Sequence, residues 1–308
     1  MSDQDIKASG ANGNSRLDTV APCQAAIVLV AHGDRGNARQ NSALATHVGA
    51  LESDRSFHFV AGGLLNGEPN LQTALLAAKA AKPERIFVYP LFMAAGYFVE
   101  KIIPEELKKA GCGDISIILP PLGRDQGLPP AMLARAVGVA REANLSPATA
   151  RLLVVGHGSK SGSPASQRAT QHFAAQLRGA GVFKEVEVAL LEEAPFLPDV
   201  LKSSNRPTVV VGYFYGAGLH ASEDVPAAIE ETGADALYTG SVGRSLETTD
   251  LIRKSVNRAI TSANSSNAIA GASTVGVSTA PASSQAPKVS FFDRVKCFFS
   301  GLFSKRIA

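Results

Sequence analysis

Short, continuous runs of apolar and mostly β-branched residues recur along this chain, separated by longer stretches in which apolar positions return every three or four residues. In the first half the runs are Ala26 to Ala31, Phe57 to Leu65, Arg85 to Phe92 and Ile115 to Pro120. The stretches 37–51, 70–81, 104–110 and 128–143 have helical spacing. Uninterrupted apolar strands divided by helices of this length predict a parallel sheet covered on both faces. The second half repeats the order, with strands at Arg151 to Val155, Val186 to Leu191, Thr208 to Tyr215 and Ala236 to Gly240. Its helices are predicted over 164–178, 195–203, 223–231 and 246–259, with Ser163 capping the first of these and Pro164 in its first turn.

The two halves also share phrases. VLVAHGDRG, with His32, answers VVGHGSKSG, with His157, and PLFMAAGYFVEKIIP (Pro90 to Pro104) answers GYFYGAGLHASEDVP (Gly212 to Pro226). The predicted fold class is therefore α/β: two similar domains, each a parallel sheet of four strands flanked by helices, facing across a cleft. The boundaries read as a disordered start at 1–24, a first domain at 25–143, a linker at 144–150 and a second domain, with the active site, at 151–260. A Ser/Ala/Gly linker follows at 261–288. The last stretch, 289–308, has Phe291, Val295, Phe298, Phe299, Leu302 and Phe303 at helical spacing, with Arg294, Lys296, Lys305 and Arg306 largely elsewhere. That pattern fits a basic amphipathic helix, which would lie on an anionic membrane surface, dock on a partner protein or pack back on its own domain.

The 308 residues are 45% hydrophobic and 19% charged, with a formal charge of +3, a balance that gives no argument for nucleic acid. Cys23, Cys112 and Cys297 form no CxxC and no pairing pattern, so neither a zinc site nor a disulfide framework is supported. No apolar leader and no run long enough for a membrane span is present, which reads as a cytoplasmic protein.

The chemistry concentrates at strand ends, where open α/β proteins gather their ligands. GHGSKSG lacks the spacing of a phosphate-binding loop, and GHGSK lacks the second glycine of a nucleophile elbow, leaving Ser159 as a loop or cap residue. His157 follows one strand of the second half and His220 follows another, so the two imidazoles can converge and suit a first-row transition metal. Glu223 and Asp224 follow His220 and read as favourable acids at a helix start. His47 and His172 read as partly exposed helix residues, and His58 as solvent-facing. Phe98 stands where a first-half counterpart of His220 would be, which implies one active site per chain.

VAHGDRG, VVGHGS, PLFMAAGYFVEKIIPEEL and VVVGYFYGAGLHASEDVP resemble the sirohydrochlorin chelatases of the class II chelatase group, over about Ala26 to Ile260. The resemblance implies insertion of Co2+ or Fe2+ into sirohydrochlorin, in cobalamin or sirohaem synthesis, without ATP and with no cofactor beyond the substrate metal. It implies His157 and His220 as metal ligands and catalytic groups, with Glu100 from the first half assisting across the cleft. The implied substrate carries many carboxylates, which Arg35, Arg124, Lys160, Arg168 or Arg244 could meet. The alternative is a non-catalytic metal or tetrapyrrole carrier of the same fold.

Overall fold

The structure, a computed structural model, describes residues 21, 24–33, 42–160, 164–216 and 223–272. In the first half β1 (Ala25–Ala31), β2 (Phe59–Leu64), β3 (Arg85–Pro90) and β4 (Ser116–Ile118) form a parallel sheet in the order β2-β1-β3-β4. β5 (Arg151–Gly156), β6 (Glu185–Leu190), β7 (Thr208–Gly212) and β8 (Ala236–Ser241) repeat it as β6-β5-β7-β8. The helices of the first half are α1 (Ser42–Ser53), α2 (Leu71–Ala80), α3 (Ile103–Lys109) and α4 (Leu128–Glu142). Those of the second are α5 (Ala165–Gly179), α6 (Leu197–Lys202), α7 (Val225–Thr232) and α8 (Leu246–Ala272). The two four-stranded sheets of the sequence prediction are thus present.

The inner strands of each sheet are buried on both faces, which is why β1, β5 and β7 read as nearly unbroken apolar runs, whereas the edge strand β6 alternates with Glu185 and Glu187. Ile27 and Leu29 of β1 face a core shared with Leu152 and Val154 of β5, whereas Val28 and Val30 pack under α2 and α3. Leu153 and Val155 pack under α6 and α7. Each large aliphatic side chain buried this way contributes about 1.5–3 kcal/mol. The core is continuous between the halves because their last helices are exchanged. α4 leaves the first sheet and packs on β7, β8 and α5, while α8 crosses back to α1 and β3. Sequence position therefore assigns α4 to the first domain, at 25–143, although it covers the second sheet.

Polar contacts fix this exchange. Arg135 of α4 donates from Nε to the Thr239 carbonyl at 2.9 Å. Tyr213, just past β7, turns its hydroxyl to the Met93 and Gly123 carbonyls at 3.0 and 3.1 Å, so its one proton is shared between two first-half loops. A Cβ on Gly123 would lie 1.8 Å from the Met93 oxygen, so only glycine lets those loops close on Tyr213.

Three expectations are corrected. His47 is not a partly exposed helix residue; it is 2% exposed, its Nε2–H donating to the Gly243 carbonyl at 2.7 Å and its Nδ1 accepting from Thr249 at 2.8 Å. Pro164 holds the capping position before α5 and makes no side-chain cap, while Ser163 lies outside the described residues. α8 does not stop near Thr261 but continues to Ala272, into the segment read as linker. Alanine is the strongest helix former, and the hydroxyls of Thr261 and Ser265 are absorbed within the helix by bonds to the Asn257 and Thr261 carbonyls at 3.0 Å each, a small cost that the alanines offset. Among the described residues no helix is long and apolar enough to cross a membrane. The segment 289–308 lies outside them.

Candidate functional site

The carboxyl ends of β1 and β5 deliver equivalent histidines. Each is followed by a glycine with positive φ, Gly33 at 78° and Gly158 at 76°, a conformation that L side chains rarely adopt. A Cβ on Gly33 would sit 2.1 Å from the Asn66 carbonyl oxygen, so the turn needs glycine for space as well as for φ. The turn after β5 is held further by Ser166 of α5, whose hydroxyl accepts from the Gly158 N–H at 3.1 Å. His32 and His157 then line one cleft between the halves, of about 570 Å3. That volume falls in the range of small-molecule sites. Its walls are largely apolar, with Phe92, Tyr97 and Phe98 from the first half facing Tyr213, Phe214 and Tyr215 from the second.

His157 has a half-exposed ring and a carboxylate partner. Its Nδ1 lies 3.3 Å from the Gly158 carbonyl and 3.4 Å from Glu192 Oε2. Both neighbours are acceptors, so Nδ1 carries the proton and Nε2 is the nitrogen able to take a proton or a metal. Glu192 sits just past β6, its side chain only 14% exposed, and its other oxygen lies 3.4 Å from the Lys160 ammonium. Burial pushes the Glu192 carboxyl up, but the charges of His157 and Lys160 outweigh it and hold it below the usual carboxylate range. The site thus keeps an anion beside the imidazole.

The first half has the same frame with different groups. The Asn66 N–H donates to the His32 carbonyl at 2.8 Å, as the Glu192 N–H donates to the His157 carbonyl at 3.0 Å, so Asn66 occupies the place of Glu192. Phe98 opens a π-helical turn, Phe98–Ile102, ahead of α3, and its ring meets that of His32 edge-on with centroids 4.8 Å apart. Glu223 and Asp224 have the same π conformation ahead of α7, where both are exposed. Among the described residues, the imidazole of the first half has an amide, Asn66, where that of the second half has a carboxylate.

His157 is therefore where the strand-end argument puts it, on the cleft. His220 lies outside the described residues. Glu100 is exposed on the π-helical turn; Tyr97, Phe98 and Val99 line the cleft and Glu100 does not. A carboxylate that does contact His157 is Glu192, and it comes from the second half. Among the described residues no group of three His, Cys, Asp or Glu side chains is placed to share a metal ion. Glu192 was missed because LLEEAP reads as an ordinary polar strand exit. The available signal was the internal repeat, which aligns LLEEAP with LLNGEP and shows an acid in one copy where the other has an amide.

These features define a two-halved α/β protein with a cleft of ligand-binding size between its halves, beside an imidazole–carboxylate pair. The CbiX family model matches residues 26–138 and again 151–259. The chain belongs to the CbiX family of chelatases and carries the family's unit twice. A probable sirohydrochlorin cobaltochelatase of Halobacterium salinarum is 26% identical over 257 residues, covering 71% of this chain and 86% of that protein. The solved structure of CbiX, the terminal enzyme for biosynthesis of siroheme in denitrifying bacteria, is 30% identical with a TM-score of 0.60. It covers 76% of this chain and 98% of its own. SirB from Bacillus subtilis with Fe3+ shares the fold at 20% identity and a TM-score of 0.63, over 76% of this chain and 94% of its own.

Proposed function

We propose that this protein inserts a divalent metal, Co2+ or Fe2+, into sirohydrochlorin without ATP, for cobalamin or sirohaem synthesis. The observation that carries the reading is the His157–Glu192 pair at the rim of an apolar cleft between the halves. Metallation requires the ring to lose two N–H protons while the metal exchanges its water for ring nitrogens. The Nε2 of His157 accepts a proton or holds the metal, and Glu192 on Nδ1 fixes the ring and stabilises its positive charge. His220, the second imidazole, is the other metal ligand in this reading. The aromatic walls supply flat, water-poor surfaces suited to a macrocycle, where a polar pair acts more strongly than in water. In this reading Glu192, which contacts His157, is the acid assisting it, and Glu100 is exposed on the π-helical turn.

Purified protein mixed with sirohydrochlorin and either metal should show the absorbance change of ring metallation. His157→Ala should abolish it. Ring binding without turnover in the unaltered protein would make it a carrier, and retention of full activity in His157→Ala would remove the proposed chemistry.

A further inference from the structure

A polar recess opens from the apolar cleft and shares Met93, Ala94, Ala165, Ala169 and Tyr213 with it. One wall is a single stripe of α5. Ala165 and Ala169 leave space, and Arg168, His172 and Gln176 follow at helical spacing on the same face. The opposite wall is the turn Leu122–Arg124 with Asp125 and Gln126. Arg124 and Arg168 are exposed, and neither has an ion-pair partner among the described residues. Among the described residues the one acid in the lining, Asp125, is engaged elsewhere. It is 8% exposed and accepts from the Tyr89 hydroxyl, the Ser255 hydroxyl, the Gly127 N–H and Arg258. The recess therefore presents two uncompensated guanidiniums beside a cleft of aromatic surface.

We infer that this recess, with Arg124 and Arg168 as its anion-binding groups, receives the carboxylate side chains of a flat polycarboxylate ligand whose ring occupies the apolar cleft. The assignment rests on the reading of the cleft as a tetrapyrrole site. Guanidinium binds carboxylate through two parallel hydrogen bonds, which gives orientation as well as affinity. Arg124 comes from the first half and Arg168 from the second, so a ligand held by both is gripped by the two halves together. Of the five basic residues the resemblance raised, the structure sets these two apart. Lys160 pairs with Glu192, Arg35 lies outside the described residues, and Arg244 lines neither the cleft nor the recess.

The test uses the full chain and two metal-free porphyrins of different charge, uroporphyrin with eight carboxylates and deuteroporphyrin with two, titrated by fluorescence. The double variant Arg124→Gln/Arg168→Gln should bind uroporphyrin about 10- to 100-fold more weakly, as expected for loss of charge-assisted hydrogen bonds. Deuteroporphyrin binding should change less than threefold, and Co2+ binding measured by calorimetry should stay the same. Gln176→Glu, which adds an acid to the recess without removing an arginine, should weaken uroporphyrin in the same direction. Equal loss for both porphyrins, or unchanged uroporphyrin affinity in a protein that still metallates sirohydrochlorin, would overturn the recess while sparing the cleft. If the unaltered protein binds neither porphyrin nor sirohydrochlorin, the tetrapyrrole reading fails and the recess assignment with it.

Discussion

Glu192 and Phe98 show how single side chains divide the labour between two copies of one frame. With Nδ1 of His157 held by an anion and a carbonyl, the imidazole has a fixed orientation and tautomer that turns Nε2 outward from them. Glu192→Gln keeps the shape and removes the charge; it should cost about 10- to 100-fold in Co2+ affinity, the usual range for such outer partners. A calorimetric titration checks it, and unchanged affinity would show that Glu192 neither orients nor binds. The converse experiment is to restore the lost groups in the first half. Phe98→His combined with Asn66→Glu would surround His32, whose ring is 4.8 Å from that of Phe98, with a second imidazole and a carboxylate. We expect the double variant to bind an additional equivalent of Co2+, read by equilibrium dialysis. His157 was legible in the sequence because strand ends and glycines advertise a loop that displays its residue. Glu192 was not, because a carboxylate gains its role only from what it faces. The exposed histidines show the same limit: His172 and His58 are exposed, whereas His47, at the same spacing after its strand as His172, is buried.

At the level of elements, the eight strands were legible because their buried positions leave short apolar runs, nearly unbroken in β1, β5 and β7 and alternating with Glu185 and Glu187 in β6. Ends were less so. α8 continues through Ser, Thr and Asn residues that composition assigns to a linker, since the alanines among them favour helix and composition does not register a helix already started upstream. Where an element packs is harder still. The periodicity of α4 and α8 gives each an apolar face but does not say which sheet it covers. Asp125 marks the point where that decision is fixed. It joins Tyr89 of β3, the start of α4 through Gly127, and Ser255 and Arg258 of α8. Burial, followed by the charge and hydrogen bond of Asp125, pushes the Tyr89 hydroxyl well above its ordinary range, so it stays a donor. Asp125→Ala would strand the buried Tyr89 hydroxyl, at a cost of about 1–3 kcal/mol for a buried donor left without its acceptor, while the Arg258 guanidinium, about half exposed, turns to water. Urea denaturation should show a lower midpoint with an unchanged slope; a midpoint shift below the error of the measurement would mean that α8 is held by its apolar face alone.

For the molecule as a whole, exchange of the last helices makes the two halves one mechanical unit, although the duplication itself was visible in the repeated phrases. The cleft lies between the halves, so whatever ties them sets how far it can open. His47 is one such tie. It sits on α1 of the first half and bonds to Thr249 on α8 and to the Gly243 carbonyl, which belongs to the turn after β8. Arg253 of α8 reinforces the same seam by pairing with Asp54, just past α1, and with Asp250. Tyr215, a cleft residue, has its ring 6.2 Å from that of His47. Burial lowers the His47 pKa, and the bond to Gly243 only partly restores it. The neutral ring satisfies both neighbours, donating at Nε2 and accepting at Nδ1; a protonated ring would present a second donor to Thr249 and a charge to a buried site. The unfolded chain takes up its proton near the ordinary value of about 6.5 and the folded chain only below it. Stability from this tie is therefore complete above about pH 6.5 and is lost as pH falls through the lower, folded value. His47→Gln can still donate and accept but does not titrate, so thermal unfolding at pH 7.5 and 5.5 should show a smaller acid-induced drop in Tm for the variant than for the unaltered protein. Parallel drops in the two proteins would place the acid sensitivity elsewhere, in the Arg253 pairs with Asp54 and Asp250 or in the Asp125 knot, and would leave His47 as a purely geometric link.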